Sequence, residues 1–81
     1  MSIENVKLKL KQKYSLVHVP AERKVKQWLV KVRSYIADGQ PAEQAGLRAA
    51  REVFPYEYKE HRVYEEVTVQ ELLNGGRGVN F

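Results

Sequence analysis

The sequence predicts a small single-domain α+β fold, and three observations carry that expectation. Apolar residues alternate with lysine near the start, a central stretch repeats apolar residues at three- and four-residue steps, and a Tyr- and Val-rich stretch follows Pro55. A chain of 81 residues buries only about 60% of the surface its unfolded form exposes, so it supports one core.

Val6, Leu8 and Leu10 alternate with Lys7, Lys9 and Lys11, the period of two expected of a strand with one buried face. A strand is predicted from about 5 to 11, with Tyr14, Leu16, Val17 and Val19 continuing in extended form up to Pro20. A competing helix through Ile3, Val6, Leu10, Tyr14 and Val17 fits the lysine alternation less well. The next element is a helix from about 21 to 38, where Val25, Trp28, Leu29, Val32, Tyr35 and Ile36 share one face. Pro20 suits its entry, and Gly39 can take the left-handed conformation that closes its end.

Pro41 opens a second helix to about 54, separated from the first by Gly39 and Gln40 alone, so the two form a helical hairpin. Ala42, Ala45, Gly46, Ala49 and Val53 make a face of small side chains that lets the helix carrying Trp28 come close. Leu47, Ala50 and Phe54 make a second apolar flank, suited to rest on a sheet, and Pro55 ends the run. A C-terminal strand is predicted from about 62 to 69, on the rough alternation of Val63, Val67 and Val69 with Tyr64. Thr68 and Glu71 have the spacing of a capping box, which favours a single helical turn through Leu72 and Leu73. Residues 1–73 then form the domain, and 74–81 form a flexible tail around Gly75, Gly76 and Gly78.

Composition excludes much chemistry. With no cysteine there are no disulfides, thiolate zinc sites or cysteine nucleophiles. The start lacks the apolar block of a signal peptide, and the longest aliphatic or aromatic run is Trp28 to Val30, so a soluble cytoplasmic protein without a membrane span is expected. His18 and His61 have no zinc-ligand spacing. Glu57, Glu60 and Glu65 around His61 read as a surface charge cluster. Ser15 and His18 lie within three residues of each other without a nucleophile motif, and the segment from Gly75 to Gly78 lacks the Lys-Ser/Thr of a phosphate loop. A helix-turn-helix centred on Gly46 fails because Pro55 cuts the second helix short. No catalytic residue, metal site or cofactor is expected, and the chain reads as a non-enzymatic binding protein.

Charge is the informative quantity. Residues 1–36 hold nine Lys/Arg against two Asp/Glu, whereas residues 37–81 hold five against eight. An electropositive half points to an anionic partner. The expected partner is nucleic acid, gripped through phosphates by Lys7, Lys9, Lys11, Lys13, Arg23, Lys24, Lys26, Lys31 and Arg33. Tyrosines could add stacking on unpaired bases. The alternative is a protein-protein adaptor, subunit or inhibitor, or a homo-oligomer, docking through Tyr56, Tyr58 and Tyr64 and through an edge strand.

Overall fold

A computed structural model describes residues 3–58 and 63–75. Among them are four helices, α1 (Ile3–Tyr14), α2 (Glu22–Ala37), α3 (Ala42–Val53) and α4 (Val69–Gly75), and no strand. The α+β expectation is therefore corrected to an all-helical architecture.

The segment expected as an N-terminal strand is α1. Val6, Leu10 and Tyr14 recur every four residues and are all buried, while Leu8, which a strand would turn inward with them, is 56% exposed. Lys, Leu and Gln, which fill residues 7–13, are straight-chain or γ-branched side chains that lose little freedom in a helix. The predicted C-terminal strand fails as well. Residues 65–67 form a turn and bend, and Val69 already begins α4. With no second strand among the described residues to pair with, alternation near the start had no ladder to join. Extended chain from Tyr14 to Val19 is corrected at its beginning: Tyr14 ends α1, Ser15 takes φ 53°, and Leu16 N–H closes the helix on Lys11 O at 3.0 Å.

The helical hairpin is present within one residue of its expected bounds at each end. Gly39, at φ 101°, donates its N–H to Ile36 O at 2.9 Å, and Gln40 N–H reaches Tyr35 O at 3.1 Å, the paired bonds of a Schellman motif. Ala45, Gly46, Ala49 and Val53 face inward, and Trp28 Nε1 donates to Gly46 O at 3.0 Å across the two helices. A Cβ on Gly46 would lie 2.4 Å from Val69 Cγ2 and 2.7 Å from the Tyr14 hydroxyl, so α1, α3 and α4 converge on this one residue. The flank expected to rest on a sheet packs otherwise: Ala50 and Phe54 enter the helical core and Leu47 borders it.

Thr68 caps α4, its Oγ1 accepting Glu71 N–H at 3.1 Å as the capping-box spacing implies. Asn74 and Gly75, assigned to the tail from the sequence, are the last residues of α4. The rest of the expected tail, residues 76–81, lies outside the described residues, as does His61. No helix among the described residues is long and apolar enough to cross a membrane.

Candidate nucleic-acid interface

The nine cationic residues do not share one fate. On α1, Lys7 pairs with Glu4 at 3.2 Å one turn away, and Lys9 pairs with Glu71 of α4. Lys11 is half-buried and makes no ion pair among the described residues. Lys13 is 0% exposed, which removes it from any surface. Its ammonium donates to Glu43 Oε1 at 2.8 Å and to Val67 O, with Tyr64 O at 3.5 Å. Three acceptors thus surround a buried cation that would otherwise be costly to desolvate.

This buried lysine organises the far end of the fold. Glu43, in the first turn of α3, uses Oε1 on Lys13 and Oε2 on the Val69 N–H of α4 at 2.7 Å. Lys13 O in turn accepts Tyr64 N–H at 2.6 Å, so residues 64–69 are stitched to the end of α1. The sequence signal existed but required the helical reading of residues 3–14, in which Lys13 falls on the face of Val6, Leu10 and Tyr14.

On α2 the cations behave differently. At about 100° per residue, Arg23, Gln27, Val30, Ser34 and Ala37 form the centre of its outward side, and all five are exposed. Lys26 and Arg33 border that line on one flank, and Lys24 and Lys31 on the other. Lys31 lies 3.3 Å from Glu52 of α3. Arg23, Lys24 and Lys26 make no ion pair among the described residues. From Arg23 to Arg33 the cationic side extends about 15 Å along the helix axis.

One acidic residue, Glu22, lies on α2 beside these cations, whereas Glu43, Glu52, Glu57 and Glu71 are engaged away from them. Glu52 accepts the Tyr35 hydroxyl, and Arg48 stacks 4.3 Å from the Tyr35 ring centroid. That hydrogen bond holds the Glu52 carboxyl below its ordinary value and raises the Tyr35 phenol. The hydrogen bond from Lys9 lowers Glu71 in the same way. Glu57, grouped in the sequence with His61, which lies outside the described residues, accepts the His18 backbone N–H at 3.0 Å, with His18 Nδ1 at 3.4 Å. Among the described residues no three His, Cys, Asp or Glu side chains gather as metal ligands would.

The three tyrosines expected to form a docking surface are not equivalent. Tyr56 is 96% exposed. Tyr58 is half-buried with its ring 6.0 Å from that of Tyr14. Tyr64 is exposed, and its hydroxyl donates to Glu66 at 2.8 Å, which raises its phenol. The edge strand expected beside them is absent from the described residues. A cavity of about 610 Å³ lies where Tyr14, Glu43, Leu47 and Thr68 meet. The Tyr14 hydroxyl is buried with no hydrogen-bond partner among the described residues, and burial pushes its phenol up.

Comparison with protein-family models, with curated proteins and with solved structures gives no match to this chain.

Proposed function

We propose that this chain is a small non-enzymatic binding protein that holds nucleic acid through phosphate contacts along the outward side of α2. One observation carries the reading: Arg23 at the centre of that side, and Lys24 and Lys26 on its two flanks, make no ion pair among the described residues; Glu22 is the single acidic residue of α2, and the carboxylates of Glu43, Glu52 and Glu71 are engaged elsewhere. Cations left uncompensated on a rigid helix form a standing positive potential, and a polyanion that meets it releases its own counterions. The set is narrower than the nine residues expected from the sequence. Lys13 is internal, and Lys7, Lys9 and Lys31 each have a carboxylate. Uncharged Gln27, Val30 and Ser34 along the centre line let the helix approach a strand closely.

The test is fluorescence anisotropy with labelled single-stranded and duplex DNA across a salt series. Binding is expected at low salt, with log affinity falling linearly in log salt. Replacing Arg23, Lys24 and Lys26 together by Ala reduces that slope by about two to three on duplex DNA. Absence of binding at low salt, or an affinity indifferent to salt, rejects the proposal and turns attention to a protein partner.

A further inference from the structure

We infer that a groove beside the first turn of α2 takes one unpaired nucleobase, with Tyr56 as its stacking face and Arg23 and Lys24 as the seat of the adjoining phosphate. The inference rests on the nucleic-acid reading above and adds to it a contact that only a single strand makes. The groove has a volume of about 380 Å³ and lies between the segment entering α2 and the turn that follows α3. Its floor is apolar, made by Pro20 and Phe54, both buried. Arg23 and Lys24 line the same groove as Tyr56, although 33 residues separate Arg23 from Tyr56 in the chain.

Three physical features select this occupant. An almost fully exposed tyrosine at the mouth of an apolar groove offers a flat π-face whose burial would be favourable, and every base has a matching face. Two cations beside it, free of ion pairs among the described residues, supply the charge complement of a phosphodiester. Glu57 on the same groove accepts the His18 backbone N–H at 3.0 Å, and its single negative charge is outnumbered there by Arg23 and Lys24. In a duplex the base faces are stacked on one another, so Tyr56 has nothing to cover there; in a single strand they are open.

The experiment compares labelled oligo(dT) with the oligo(dA)·oligo(dT) duplex for the wild type, Tyr56→Ala and Tyr56→Phe. Tyr56→Ala is expected to weaken oligo(dT) binding by roughly five- to a hundredfold and to leave duplex binding unchanged. Tyr56→Phe, which keeps the ring, retains wild-type affinity. Photocrosslinking of a 5-iodouracil strand, read by peptide mass, places the adduct on Tyr56. Equal oligo(dT) binding by wild type and Tyr56→Ala, with duplex binding intact, overturns the groove while sparing the α2 interface. Failure of both strands to bind overturns the two proposals together. The ring is solvent-exposed, so its loss leaves the fold unaltered, and an unchanged circular dichroism spectrum verifies this.

Discussion

Lys13 and Glu43 form the most consequential side-chain pair in the molecule, because each closes a different gap. The ammonium is fully buried, but the Glu43 side chain is 53% exposed, so the pair is weaker than one sealed from water. Glu43→Gln leaves the cation without its counter-charge and weakens the cap on Val69 N–H. A loss of about 1–3 kcal/mol is expected, below the full penalty for breaking a wholly buried pair because water reaches the carboxylate. Urea unfolding should show a lower midpoint at unchanged slope. Glu4→Gln removes an exposed one-turn pair with Lys7 and should shift stability by no more than about 0.5 kcal/mol. The contrast separates structural lysine from surface lysine, a distinction that composition does not make.

Among the helices, α3 is the one whose sequence depends most on its neighbours. Gly46 accepts the Trp28 indole hydrogen bond on its carbonyl and leaves no room for a Cβ under Val69 and Tyr14. An alanine favours an isolated helix over glycine by about 1 kcal/mol. Here the overpacking against buried, β-branched Val69 and the buried Tyr14 hydroxyl outweighs that gain, and Gly46→Ala is expected to destabilise by a net of about 1–2 kcal/mol. A lowered Tm, with a changed Trp28 emission spectrum, is the readout. A stabilised variant would mean that α4 can move away from α3 at little cost. The same contact explains why α4, only seven residues long, is held: its cap at Thr68, the Glu43 carboxylate and the Gly46 notch act together.

Over the whole chain, the carboxylates from the acidic half hold elements together. Glu52 joins α3 to α2, and Glu71 joins α4 to α1; both have folded-state pKa values below the ordinary 4.5. A depressed carboxyl pKa adds stability above the unfolded value, and that stability is lost as pH falls through the folded value, since the unfolded chain binds the proton first. The urea midpoint should therefore hold from neutral pH down to about 5 and fall below it. In Glu52→Gln/Glu71→Gln the neutral-pH midpoint is lower and the acid fall shallower; an acid limb identical to the wild type would refute these roles. How much of this was legible differs by segment. The α2–α3 hairpin, its Gly39 closure, the small-residue face under Trp28 and the Thr68 cap could all be read directly, because each follows from local periodicity or turn chemistry within a few residues. Residues 3–14 could not, since lysine and leucine in alternation satisfy a strand and a helix alike, and the choice depends on whether a partner strand exists elsewhere. The interface was legible as charge but not as geometry. Which lysines face water, which meet Glu71, Glu43 or Glu52, and which come beside Tyr56 depend on contacts between residues far apart in the chain, and side-chain pairing of that kind is set by packing rather than by neighbours in sequence.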